Sequence, residues 1–200
     1  MTDVCLILDA SSSMAGKYDQ TVVAFNEYIQ GVKEDRSVEH VYTVVFNSHG
    51  ITRIHDGVHP DSIISLSKEN YRPSGMTPLY DAMGKTIEDM VGGRMFVVVI
   101  TDGQENNSRE FNKDSIKALI QAKEALGWDF IYLGADFDAW SNARGLGATR
   151  GKTLSFSGAQ FSQGMEAARQ ATSAYNATGE ALPDDYFDGY FDPDNNDATD

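Results

Sequence analysis

The chain has one cysteine, four histidines and only 16 lysines and arginines against 30 acids, and each shortage removes a class of function. Cys5 stands alone and lies in an apolar run, so no intrachain disulfide can form, which points to a reducing compartment. His40, His49, His55 and His59 all fall between residues 40 and 59, far in sequence from Ser11 to Ser13, and a serine, histidine and aspartate hydrolase is poorly supported. His55 and His59 have ligand spacing, but with no cysteine beside them a surface reading outweighs zinc. The net charge of -14 argues against nucleic acid or an anionic membrane as the main partner. No apolar run approaches the roughly 20 residues that a membrane span requires. The first strand begins within a few residues of Met1 with no basic stretch before it, so the expectation is a cytoplasmic chain without a secretion signal.

What is present is ordinary globular material. With 41% hydrophobic and 23% charged residues, 200 residues can bury one sizeable core. Hydrophobic period divides the chain into a domain over 1–178 and a tail over 179–200. Residues 180–200 hold eight acids and no base, while the rest carries 22 acids against 16 bases, a net of -6. High charge without period predicts a disordered, solvated tail, although paired aromatics (Tyr186, Phe187, Tyr190, Phe191) are unusual in one. Asp192, Asp194 and Asn196 match the first ligand positions of a calcium loop, but the sixth position is Asp197 where glycine is needed.

Apolar runs and helical spacings alternate along the domain. Cys5 to Leu8 reads as a strand buried on both faces, followed by a helix over Lys17 to Glu34 with Val22, Phe25, Ile29 and Val32 on one face. Val41 to Phe46, the turn Asn47-Ser48-His49-Gly50 and Ile51 to His55 make a hairpin with an antiparallel edge strand. An amphipathic piece lies near Ile63 to Leu66. Thr77 and Pro78 suit the cap and first position of a helix whose face carries Leu79, Ala82, Met83, Thr86, Ile87 and Met90. Met95 to Thr101 is the most hydrophobic run and is closed by Asp102-Gly103. Then come a helix face of Ile116, Leu119, Ile120 and Leu126, a strand over Phe130 to Leu133, a helix from about Phe137 to Leu146, a strand over Thr153 to Ser157 and a closing helix with Phe161, Met165, Ala168 and Tyr175. This alternation predicts an α/β fold with a mostly parallel, doubly wound sheet.

In such folds ligands collect outside the carboxyl ends of the strands, where strand order reverses. Asp9 ends the first apolar run and Asp102 ends the central one. Ser11 and Ser13 follow the former, and Thr77 stands at a helix start between them. Taken singly, each has a plain structural role: a turn, a loop, a helix cap. Together, five oxygen donors at three chain positions favour a site for a hard cation.

Asp9-Ala10-Ser11-Ser12-Ser13-Met14 resembles the Asp-x-Ser-x-Ser signature of von Willebrand factor A domains. Thr77-Pro78-Leu79-Tyr80-Asp81-Ala82 resembles their second motif and Thr101-Asp102-Gly103 their third, all in order over residues 1 to about 176. Tyr132-Leu133-Gly134-Ala135-Asp136 with Gly145-Leu146-Gly147 looks like stand-alone bacterial and phage members. The resemblance implies a six-stranded Rossmann-like sheet of order 3-2-1-4-5-6 with strand 3 antiparallel. It also implies a metal-ion-dependent adhesion site for Mg²⁺ or Mn²⁺. Ser11, Ser13 and Thr77 would be direct ligands, while Asp9 and Asp102 would act largely through water or according to state. Neutral ligands leave the ion electropositive, and the family uses its open position to grip an Asp or Glu of a protein partner.

The expectation is therefore a non-enzymatic, metal-dependent protein-binding module, with the acidic tail as a possible ligand in cis or trans. A metal-dependent hydrolase or phosphoryl-transfer enzyme is the alternative, but it lacks a base or nucleophile. An adaptor for a separate ring ATPase is a third reading. Gly147 to Thr153 resembles a phosphate loop but is one residue short between its glycines and stands before a strand, the reverse of that loop's context. Gly145-Leu146-Gly147 has Arg150 where a dinucleotide motif needs its third glycine.

Overall fold

A computed structural model of the chain describes residues 2–36, 38–90, 93–135, 146, 152–156, 160–188 and 190. Strand β1 (Thr2–Asp9) leads through a short 3-10 turn (Ser12–Lys17) into helix α1 (Tyr18–Asp35). The hairpin is β2 (Val38–Asn47) with β3 (Gly50–Val58), followed by α2 (Leu79–Asp89), β4 (Met95–Thr101) and α3 (Lys113–Glu124). The remaining elements are β5 (Asp129–Ala135), β6 (Thr153–Phe156) and α4 (Phe161–Thr178). The six strands form one sheet of order β3-β2-β1-β4-β5-β6, with β3 antiparallel to β2 and the other pairings parallel. The expected fold class and strand order are what the structure shows. The helix expected over Phe137 to Leu146 lies outside the described residues except for Leu146, which is buried.

Alternation along the central strands explains the two covered faces. Val4, Leu6 and Leu8 of β1, with Phe96, Val98 and Ile100 of β4, belong to a core shared with α1 and α4. Cys5, Ile7, Val97 and Val99 belong to a second core with α2 and α3. A strand with helices on both sides must be apolar at every position, which is why these runs are continuous. Because α1 follows β1 on one face and α3 follows β4 toward the other edge, the chain reverses direction between β1 and β4. A crevice opens there at their carboxyl ends.

Local expectations fail where tertiary partners replace local ones. Helix α2 starts at Leu79, with Pro78 in the cap position and no side-chain cap of its own. Thr77 therefore does not cap it. The Glu105 carboxylate instead accepts the Tyr80 N–H at 2.9 Å, and Ser108 Oγ accepts that of Asp81 at 3.0 Å. Leu126 lies past the end of α3 and is 69% exposed. His55, expected at the surface, is buried with Nε2 accepting the Ile64 N–H at 3.2 Å.

The chain does not leave the body after α4. Leu182 and Phe187 are buried in the α1 and α4 core, and Phe187 meets Tyr186 and Tyr190 edge-on at 4.9 and 5.7 Å. The first half of the expected solvated tail is thus part of the fold, because its aromatics have apolar partners. Its anchor is the fully buried Asp129 at the start of β5. One oxygen of Asp129 pairs with Lys152 Nζ at 2.6 Å and the other accepts the Leu182 N–H at 2.7 Å. Lys152, the lysine of the phosphate-loop look-alike, is consumed in that pair.

Truncating one member of a buried pair leaves the other charge unpaired, at a cost of about 3–5 kcal/mol. Asp129→Ala is expected to lower the denaturation midpoint accordingly and to speed amide exchange at Leu182. Unchanged exchange there would show that Asp129 does not anchor the C-terminal segment.

Candidate metal centre at the carboxyl edge

Three segments meet at the mouth of the crevice. Asp9, fully buried at the end of β1, uses Oδ1 to accept the Ser11 N–H at 2.6 Å, and its Oδ2 accepts the Thr101 hydroxyl at 2.7 Å. Ser11 and Ser13 hydroxyls lie 2.9 Å apart, and Ser13 donates to Asp102 Oδ1 at 2.6 Å. Gly103, next in line, shows how closely the segments approach. A methyl placed on it would lie 2.9 Å from Thr77 Oγ1, 3.5 Å from Ser13 Oγ and 3.6 Å from Asp9 Oδ2. The structure brings Asp9, Ser11, Ser13, Thr77 and Asp102 to one edge, with Ser11 buried and Ser13 exposed.

The backbone that carries these groups is tied from outside. Tyr71 donates its hydroxyl to the Asp9 carbonyl at 2.9 Å. Ser12 and Ser74 donate N–H groups to the carbonyls of Gly75 and Ala10, joining the serine loop to the segment before Thr77. Asn106 accepts the Thr77 N–H on its side chain at 2.9 Å and donates its own N–H to the Thr77 carbonyl at 3.2 Å. Asp81 completes the clamp by accepting N–H groups from Arg109, Glu110 and Phe111 at 2.8 to 2.9 Å. Burial alone would raise its pKa, but those N–H groups, with Lys85 nearby, outweigh it and hold the carboxyl below its usual range.

Two acids face this crevice, and among the described residues Lys17 answers them, its Nζ 2.5 Å from Asp102 Oδ2. Burial pushes the Asp9 carboxyl up to about 6, with hydrogen bonds from Thr101 and Ser11 opposing the rise and the charge of Asp102 adding to it. An all-oxygen donor set of hydroxyls and carboxylates around a gap that only glycine leaves open fits a hard divalent cation. Among the described residues the grouping of three or more histidines, cysteines or acids is Asp3, Glu39 and His40. It stands at the other end of β1, about 20 Å from Asp9 at ~3.3 Å per residue, and it lacks the hydroxyls of the crevice.

Sequence reasoning missed Lys17, Thr101, Glu105, Asn106 and Ser108. Thr101 stands inside the third motif with nothing in the sequence to mark it as a donor to Asp9, and the loop after Asp102 has no periodic signal to show which residues turn back onto α2.

The von Willebrand factor type A domain family model matches residues 3–171. The chain belongs to that family. Among curated protein sequences none matches it. Solved structures resemble it at low identity, which shows the fold. Proximal thread matrix protein 1 of the mussel byssus has a TM-score of 0.62 at 16% identity, over 86% of this chain and 46% of that one, so the chain spans about half its length. The pilus adhesin SpaC of Lactobacillus rhamnosus GG has 0.63 at 12%, over 88% and 30%. Manganese-loaded TRAP of Plasmodium vivax has 0.53 at 14%, over 84% and 73%.

In this von Willebrand factor A domain the raised pKa of Asp9 has a defined sign. The native state holds that proton more tightly than the unfolded chain, so metal-free stability falls as pH rises from about 4 to the native value of about 6 and stays lower above it. Asp9→Asn keeps an acceptor for Ser11, and its amide can donate to Thr101, whose hydroxyl already reaches the Gly103 carbonyl at 3.3 Å. The variant is expected to be more stable than wild type in chelator at pH 7, by on the order of 2 kcal/mol, and flat between pH 4 and 6. Chemical denaturation across that pH range checks both. Equal stability of the two proteins would mean that the Asp9 charge is already compensated.

Proposed function

We propose that the domain is a non-enzymatic protein-binding module that holds Mg²⁺ or Mn²⁺ with Asp9, Ser11, Ser13, Thr77 and Asp102 and engages a carboxylate of a protein partner. The observation that carries the reading is the convergence of Thr77, Ser13 and Asp9 oxygens around Gly103 beside a second acid. When bound, the cation supplies an electropositive position open to an external oxygen ligand. The residues do the rest. The hydroxyls donate neutral oxygens, the two acids balance charge, and the clamps from Asn106 and Tyr71 hold the three segments at fixed separation. SpaC is by name an adhesin and TRAP carries manganese; both are precedents on the same fold. The enzyme alternative gains no support: among the described residues no histidine is hydrogen-bonded to any of the five side chains, and the one amine against them, Lys17, is held in an ion pair with Asp102. No described helix is long and apolar enough to cross a membrane.

A second ligand reading, the chain's own acidic segment, is narrowed by the fold. Tyr190 bonds to Gln170 midway along α4, so Glu180, Asp184, Asp185 and Asp188 belong to the docked stretch. Those four are exposed and remain accessible to a second copy, and Asp192, Asp194, Asp197 and Asp200 are the proposed carboxylates in cis, at the high local concentration that tethering provides.

A ligand that binds only the native state at a hundredfold its Kd adds about 2.7 kcal/mol. Mg²⁺ is expected to raise the melting temperature of wild type, and Thr77→Val, which keeps the shape and removes the hydroxyl, to abolish the rise. An identical rise in Thr77→Val and Asp9→Ala would place the ion elsewhere. Partner capture from a lysate should require Mg²⁺ and be lost with Asp102→Ala bait. Removing residues 191–200 is expected to strengthen that capture; capture unchanged by the deletion rules the segment out as a competing ligand.

A further inference from the structure

We propose that Lys17 is a built-in counter-charge of this edge, which weakens its hold on the divalent cation and leaves the loaded site net cationic, so that it draws in a carboxylate. The inference rests on the reading that the cation binds at Asp9, Ser11, Ser13, Thr77 and Asp102. Asp102 divides its two oxygens: Oδ1 accepts the Ser13 hydroxyl on the crevice side, and Oδ2 pairs with Lys17 at 2.5 Å. The Asp102 side chain is 1% exposed and that of Lys17 23%, so the pair is shielded and its charge acts locally. Lysine and cation can therefore share Asp102, one on each oxygen.

Lys17 pairs with a buried carboxylate from a position that otherwise disfavours a cation. It stands at the cap of the 18-residue helix α1, where the macrodipole presents its positive end and a cation is disfavoured. Two carboxylates and a divalent ion sum to zero. Lys17 adds one positive charge, to which the end of α1 contributes further. On a chain of net charge -14 a site that sums to zero would add no longer-range attraction to offset the repulsion an incoming carboxylate meets from the surroundings. The same ammonium opposes the metal, so affinity for the ion is exchanged for affinity toward the acid.

The test uses the full chain, Mn²⁺ as the metal probe and acetate as the carboxylate probe, read by calorimetry and by the fall in water-proton relaxation as acetate displaces Mn²⁺-bound water. Lys17→Met is expected to bind Mn²⁺ roughly tenfold tighter and its Mn²⁺ form to bind acetate several-fold more weakly, while Lys17→Arg stays near wild type in both. Lys17→Gln replaces the Met variant should that one fail to fold, as judged by melting in chelator. Equal or weaker Mn²⁺ binding without the charge overturns the inference and leaves the metal reading standing. Acetate binding that does not weaken overturns it too. Wild type that binds no Mn²⁺ overturns both.

Discussion

Two carboxylates facing one crevice is the constraint on which the functional edge depends. Asp9 is fully buried at the end of β1 and Asp102 has a side chain closed from solvent. Like charges in such a place destabilise the fold unless something compensates. Compensation comes from N–H and hydroxyl donors on Asp9 and from one ammonium on Asp102, enough to let the chain fold but not to neutralise the pair. That residual charge is what supports the proposal of a cation at this edge.

The loop after β4 converts a rigid sheet into a rigid site. Residues 105–111 turn back onto the start of α2. Glu105 and Ser108 satisfy helix N–H groups that no local residue caps, Asn106 holds both backbone polar groups of Thr77, and Asp81 on the helix returns the grip. Thr77 is thereby fixed relative to Asp102 although 25 residues separate them in the chain. Stability of this loop and geometry of the site are the same set of hydrogen bonds, so a change in one is felt in the other.

At the opposite end of the sheet Asp129 plays the structural counterpart. It uses the same chemistry, a buried carboxylate whose oxygens meet an ammonium and backbone N–H donors. The comparison shows what distinguishes a candidate site from a structural ion pair: at Asp129 the charge is closed off by Lys152 and Leu182, whereas at Asp9 hydroxyls and a glycine leave room.

Residue order alone determined the layered architecture, because continuous apolar runs such as Cys5 to Leu8 and Met95 to Thr101 can be buried only between two layers of helices. It also placed all five candidate ligands, since Asp9 and Asp102 end those runs and short hydroxyls follow or stand between them. The tertiary structure decided what depends on distant partners. Thr77 does not cap α2, because Glu105 accepts the helix N–H instead, and its hydroxyl lies beside Gly103 at the crevice. His55 is buried because the Ile64 N–H reaches its ring, and the first acidic residues of the C-terminal segment are docked because Leu182 and Phe187 find a core. Lys17 shows the difference most directly: in sequence it is one more lysine at a helix start, and only the folding of β4 beside β1 brings Asp102, 85 residues away, to its ammonium.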